Sequence, residues 1–328
     1  MTQDTPQPKR AIRVSSRAFK GSSAADWLQW LGAKARKTLR HPQFWFGAAV
    51  IIPSIIWYWI FSFRPILVAF PMAFQRYKLL DPRNSPWVGW NNFRNLFENP
   101  LLLTSVKNTF TWAILAFSIL LPLALSIALC LANVSRWRNL YQGLIFIPVV
   151  VSLVAVALLF RMLMDPEVGQ FNRILRSLGL PESRWLSSTK SALITCVLIG
   201  TWKGVGFHVV ILTAGLLNIP EELYDAATVD GVNGWQRFWQ ITLPLLSHTL
   251  VLITVLLAIG TLQEFTAPFV LTGGGPGNAT YTYNMLIYNE AFQQMRFGIA
   301  SAAALLQFGV ILIISVLQIK LLRPTWSY

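Results

Sequence analysis

The chain has 328 residues, 54% hydrophobic and only 12% charged, with 27 Lys and Arg against 13 Asp and Glu for a formal net charge of +14. A soluble globular domain carries about 25% charged residues, so this composition excludes one and indicates an integral membrane protein. The positive charge sits in a tail and in loops, with no basic run interleaved with aromatics, so anionic lipid headgroups rather than nucleic acid are its expected counterpart.

In chain order, the first 44 residues hold nine Lys and Arg against two acids, Asp4 and Asp26, and lack the apolar core and small-residue cleavage site of a signal peptide. Residues 1–25 read as disordered and Asp26 to Arg40 as a short interfacial helix. Six stretches then reach the length of about 20 mostly apolar residues that spans a bilayer: Trp45 to Phe70, Ser105 to Leu131, Gly143 to Met164, Ala192 to Leu217, Leu246 to Thr272 and Phe297 to Leu322. Pro53, Pro65, Pro122, Pro148 and Pro268 lie within them, which requires neighbouring helices or cavity water to meet the freed carbonyls and favours a bundle around a pathway. The basic tail places the N-terminus in the cytoplasm, and six spans return the C-terminus there, although Arg76, Lys78, Arg83, Arg94, Arg173, Arg176 and Arg184 fall in the long outer loops. The expected organisation is a basic cytoplasmic tail (1–44), an all-α membrane domain of six helices (45–322) with a cytoplasmic loop over 218–245, and a short cytoplasmic tail (323–328).

That loop is the most informative part of the chain. Pro220 can begin a helix without losing a hydrogen bond, Glu221 and Glu222 lie at its positive end, and Gly231 supplies the left-handed residue that stops it. Leu223, Ala226, Ala227 and Asp230 recur at helical spacing, giving a small, largely apolar stripe expected to face away from solvent, and a second short helix is expected from Trp235 to Ile241. The helix taken alone reads equally well as an ordinary amphipathic segment lying on the membrane surface.

Catalytic signatures are missing. No Gly-x-x-x-x-Gly-Lys-Ser/Thr loop occurs, and Gly273 to Gly277 lacks the lysine and following helix that would hold phosphates. His41, His208 and His248 are scattered, Cys130 and Cys196 read as small packing residues within spans, and the sequon at Asn278 reads as coincidence. No cofactor or metal is expected on this chain.

The loop reads Asp225-Ala226-Ala227, three residues, Gly231, nine residues, then Ile241-Thr242-Leu243-Pro244, and so resembles the coupling loop of ABC importer permeases, with Asp225 in place of the usual Glu and Val232 in place of the commoner Ala. Further matches to the carbohydrate branch of that family are Val88 to Phe93, Phe146-Ile147-Pro148, Trp202 with Gly204, Ala214-Gly215-Leu216, Ile219-Pro220, Thr272 to Pro276, Tyr288, Ala291-Phe292 and Phe297-Gly298; the first 40 residues have none. The resemblance implies a type I ABC importer permease fold in a bacterial inner membrane. It also implies a second homologous permease chain, a periplasmic or extracellular solute-binding protein, and two ATPase subunits that carry ATP and magnesium. Glu222, Asp225, Ala226, Ala227, Asp230, Gly231, Ile241, Leu243 and Pro244 would then couple to the ATPases.

Charges inside a bilayer mark functional candidates. Lys203 lies 11 residues from the outer end of the fourth span (192 to 203) and Glu264 8 from that of the fifth (272 to 264), so at about 1.5 Å per residue they share a depth and either pair or line one water-filled cavity. With Gly204, Phe207 and Gln263 they form the candidate substrate pathway, offering an aromatic face and hydroxyl-binding polar groups to a sugar. Trp202 offers similar chemistry from a different helix face. Gly298, Ser301, Ala302 and Ala304 read as packing residues. The outer loop from Asp165 to Lys190 and the Gly273 loop are placed to meet a binding protein. A permease for a sugar or oligosaccharide is the leading expectation, with one for glycerol phosphate or an acidic oligosaccharide beside it. A polytopic enzyme or lone channel is a remote third.

Overall fold

The computed structural model describes residues 42–322. The expectations for residues 1–41, including the interfacial helix, and for residues 323–328 lie outside the described residues. Helices dominate, and the bridge between Gln75 and Trp87 is the only extended pairing among the described residues. Among the described residues, five helical segments are long and apolar enough to cross a membrane: Phe44–Met72, Leu102–Ala132, Ala192–Leu217, Ser247–Thr272 and Phe297–Leu321.

The expected third span is not one straight helix. It consists of Arg138–Val150 and Leu153–Leu163, bent by 87°. Val151 and Ser152 between them take extended backbone, with ψ of 141° and 127°. Pro148 has no amide to donate, and the β-branched run Val149 to Val151 weakens the last turn further. The fifth span is also interrupted, its helices Ser247–Leu262 and Thr266–Thr272 separated by Gln263, Glu264 and Phe265. Pro268 sits in the first turn of the second piece, where its missing amide costs nothing.

The chain divides after Leu67 into two compact units. In the first, helix Pro42–Tyr58 runs into a π-helical turn, Trp59–Phe63, because Pro65 cannot donate and the Arg64 amide before it reaches back to the Trp59 carbonyl. The same device recurs in the second unit at Phe238–Thr242, ahead of Pro244, where the Leu243 amide bonds the Phe238 carbonyl. A single helix from Trp235 to Ile241 is therefore replaced by Gly234–Arg237, the π turn and Leu243–Leu245.

Two of the second unit's apolar cores lie in succession along its helices. One joins Ala124, Ala128 and Leu131 of the second span to Val209, Leu212 and Leu216 of the fourth and Ile253 and Leu257 of the fifth. The other joins Trp112 and Ala116 to Val156, Ala157, Cys196, Ile199, Ala267 and Leu271, so the outer pieces of both broken spans pack together. Cys196 is the expected packing residue, whereas Cys130 is exposed on the other side of its helix from Ala124, Ala128 and Leu131. At the start of the sixth span, Gly298, Ser301 and Ala302 are buried, as their size suggests, with Gly298 against the Gln75 backbone. Asn92 secures the same region by donating to the carbonyls of Ala73 at 2.8 Å and Gln75 at 2.9 Å.

One helix crossing is backbone to backbone. A Cβ on Gly206 would overlap the Ile145 carbonyl oxygen and come within 3.1 Å of the Phe146 Cα, so glycine alone permits this approach of Ala192–Leu217 to Arg138–Val150. At Gly204 an added Cβ would meet only Leu120 Cδ1, at 3.6 Å. Gly206→Val should therefore cost about 1–3 kcal/mol through overpacking, while Gly204→Ala is tolerated. Thermal melting of the two purified variants checks this, and equal melting temperatures would refute the crossing.

Candidate functional site

The helix of the 218–245 loop is Glu221–Val229, with Pro220 at its N-cap and Glu221 and Glu222 in its first turn. It ends in a glycine turn: Gly231 has φ of 73°, its amide bonds the Thr228 carbonyl at 3.2 Å, and the Val232 amide bonds Ala227 at 3.0 Å. Asn233 then caps Gly234–Arg237, its side chain accepting from the Gln236 backbone amide while the Gln236 side chain accepts from the Asn233 backbone amide. That Asn-x-x-Gln signal is present in the sequence and fixes the helix start that the apolar spacing misplaced.

The buried face of Glu221–Val229 is rotated from the expected one. Ala227 is buried and Tyr224 half-buried against the first core, whereas Leu223, Ala226 and Asp230 are exposed, together with Glu222 and Asp225. The cause is Tyr224: its hydroxyl lies 3.2 Å from Thr242 Oγ1, and the Arg237 guanidinium sits over its ring at 5.8 Å. This anchor turns the small-residue stripe outward. Ile241, Leu243 and Pro244 are half-buried and carry the chain into the fifth span. Beside Tyr224 a cavity of about 570 Å³, lined by Leu129, Asn133, Leu216, Ile219 and Phe238 among others, leaves the helix in contact with the spans through few side chains.

At the two span breaks the backbone polar groups are met by side chains. Lys203 donates from Nζ to the Val149 carbonyl at 3.1 Å, a free carbonyl at the end of Arg138–Val150. Glu264 Oε1 accepts the Ala267 amide at 2.9 Å, satisfying a free donor at the start of Thr266–Thr272. The carbonyls of the second break go to other residues: Gln307 Nε2 donates to Leu262 at 2.9 Å, Asn284 Nδ2 to Gln263, and Thr282 Oγ1 to Glu264 at 3.1 Å. Every carbonyl from Leu262 to Glu264 thus has a partner.

Lys203 and Glu264 form no ion pair within 4 Å; the pairs among the described residues are Arg94 with Glu98, Arg176 with Glu182 and Arg296 with Glu290. Each instead braces the end of a broken helix. Gln263 and Phe207 present exposed side chains, Lys203, Gly204 and Glu264 are half-buried, and the exposed Trp202 packs edge-on to Phe160 at 5.4 Å. Thr282, Asn284 and Gln307 were not singled out in the sequence, although Gln307 is an amide deep in an apolar span and was visible on that ground. In the loop before the fourth span, Asn172 knits residues 166–185 by donating to Pro166 and Ser183 and accepting from Ser183 and Trp185. There the Asp165 carboxyl, accepting amides of Val168 and Glu167, is held below the usual carboxylate range.

A bundle with two interrupted spans and an outward-facing helix on its loop is the architecture of a transport permease. Residues 120–327 match the family described as binding-protein-dependent transport system inner membrane component, and the chain belongs to it. It is 32% identical over 276 residues to the arabinooligosaccharides transport system permease protein AraP of Halalkalibacterium halodurans, covering 83% of this chain and 86% of that protein. It is 31% identical over 285 residues to the trehalose/maltose transport system permease protein MalF of Thermococcus litoralis, covering 87% and 96%. Among solved structures, a bacterial alginate ABC transporter in complex with alginate pentasaccharide-bound periplasmic protein contains a similar chain, 27% identical with a TM-score of 0.75, covering 86% of this chain and 95% of that one.

If Lys203 and Glu264 brace separate helix ends, replacing both should be additive. Lys203→Met should destabilise by about 1–3 kcal/mol by stranding the Val149 carbonyl, and Glu264→Gln by much less, since the amide oxygen still accepts from Ala267. A double-mutant cycle from denaturant or thermal unfolding should give a coupling energy below about 0.5 kcal/mol; a coupling of several times that would restore the ion pair.

Proposed function

We propose that this chain is one permease subunit of a binding-protein-dependent ABC importer for saccharides, acting beside a second, related permease and driven by two ATPase subunits. The observation that carries the proposal is the helix Glu221–Val229, whose small-residue face, with Asp225, Ala226 and Asp230, is turned outward while Tyr224 ties its other side to the start of the fifth span. That face suits a groove on an ATPase. Closure of the ATPase dimer would push the helix, rock the permease pair between inward- and outward-facing states, and move substrate past the span breaks. The basic N-terminal segment favours both termini in the cytoplasm, and ATP with its magnesium belongs to the ATPases. Family membership displaces the polytopic-enzyme and lone-channel readings.

Saccharide substrates are supported by relatives named for arabinooligosaccharides and trehalose/maltose, and by the mixture of amides, aromatics and charges at the breaks. An acidic oligosaccharide is the second reading: Lys203 has no carboxylate within 4 Å among the described residues, and the related solved transporter imports alginate, an acidic polysaccharide.

Purification of the tagged chain from cells expressing its neighbouring genes should recover an ATPase and a second permease, with ATP hydrolysis stimulated by one saccharide-loaded binding protein. Repeated recovery of the chain alone would overturn the proposal. Ala226→Tyr, on the exposed face, should abolish ATPase co-purification without lowering thermal stability, whereas Ala227→Tyr should destabilise the permease itself. Gly231→Val, forced into φ of 73°, should leave the protein in the membrane but lose saccharide uptake; normal uptake would remove this helix from the coupling role.

A further inference from the structure

A groove of about 230 Å³ opens between the second and sixth spans, at the end of the bundle opposite the cytoplasmic loop. Its walls are Phe97, Val106, Phe110, Leu306, Val310 and Ile311. Each of the polar side chains that line it already makes a hydrogen bond: Thr109 Oγ1 accepts the Tyr283 amide at 2.8 Å, Gln307 donates to the Leu262 carbonyl, and the Tyr283 hydroxyl donates to the Ala303 carbonyl at 3.1 Å. The surface facing the groove is almost wholly apolar and offers a sugar little to bind. A transmembrane helix, about 10–12 Å across, is too wide to enter so small a space, but a stretch of hydrocarbon chain fits.

At the rim stands a charge that neither helix packing nor the pathway uses. Lys107 is exposed, within a span, and without an acidic side chain within 4 Å among the described residues. It shares a helix face with Leu103, Phe110 and Ile114, all exposed, and Phe110 is also a wall of the groove. Five residues past Leu102, the start of its helix, it lies roughly 8 Å along the axis, within reach of the headgroup layer for an extended lysine. A lone ammonium on an otherwise apolar, membrane-facing surface calls for an anion at the interface.

We propose that groove and lysine form one phospholipid site, with an acyl chain of an anionic phospholipid lying between the second and sixth spans and its phosphate on the Lys107 ammonium. The lipid comes from the leaflet opposite the cytoplasmic loop. It covers the groove side of the Thr109 and Gln307 contacts, and so shields the bonds that hold Tyr283 and Leu262 in place.

The test uses the permease purified with its partner chains and placed in phosphatidylcholine vesicles containing a minority of phosphatidylglycerol, a trace of it bearing a photoreactive group midway along one acyl chain. Illumination and peptide mass spectrometry should concentrate adducts on residues 106–110 and 306–311. Lys107→Gln should lower those adducts about fivefold, as expected for one lysine at an anionic surface, and Lys107→Arg should retain them. Val310→Phe, which fills the groove, should lower them while leaving adducts at Ile313 and Leu317 unchanged. Adducts spread evenly over all exposed apolar faces, equal labelling by a phosphatidylcholine probe, or a Val106→Cys crosslink to the second permease chain in place of lipid would each overturn the proposal.

Discussion

Inside a bilayer no water is available to receive a stray carbonyl, and the two interrupted spans of this permease depend on that constraint being met by side chains. Lys203 answers the end of Arg138–Val150, and Gln307, Asn284 and Thr282 answer the three carbonyls after Ser247–Leu262. Remove these and the chain has either to straighten both helices or to leave polar backbone facing hydrocarbon. The bend of 87° is thus held by polar chemistry, not by packing alone.

The breaks also fall where the packing changes. Along the fourth span, Cys196, Val197 and Ile199 belong to one core and Val205, Val209 and Leu212 to the other, with Lys203 between them. Along the second span, Trp112 and Ala116 belong to the first set, and Leu120 and Ala124 to the second. Half-buried charges occupy the seam between two dry cores, where their cost is least and where a pathway requires polarity.

Five of the six expected spans and the glycine stop at Gly231 were legible in the sequence, because apolar length and a left-handed turn are local properties written in consecutive residues; the expected third span is a bent pair of helices. The 87° bend was not legible: Pro148 and the Val149 to Val151 run weaken that helix locally, but prolines lie in several spans, and the close approach of Gly206 to Ile145 and the Lys203 bond that accompany the break are tertiary. Equal depth made Lys203 and Glu264 candidates to pair or to share a cavity; no ion pair within 4 Å joins them, and each makes a hydrogen bond to a helix end of its own. The helix Glu221–Val229 was placed correctly and its face was not, since one long-range contact, Tyr224 with Thr242, outweighed the spacing of Leu223 and Ala226.

The crossing at Gly206 has a mechanical consequence. Two helices that touch through side chains can slide or roll as rotamers adjust, but two that touch through backbone are keyed, because a peptide plane cannot be pushed aside. Arg138–Val150 should therefore travel with Ala192–Leu217 as one lever. Any relative motion is left to Val151 and Ser152, the pair of extended residues that joins this lever to Leu153–Leu163 and the outer core. A displacement delivered to the loop that carries Glu221–Val229 would arrive at that joint as rotation instead of dissipating as slip between helices.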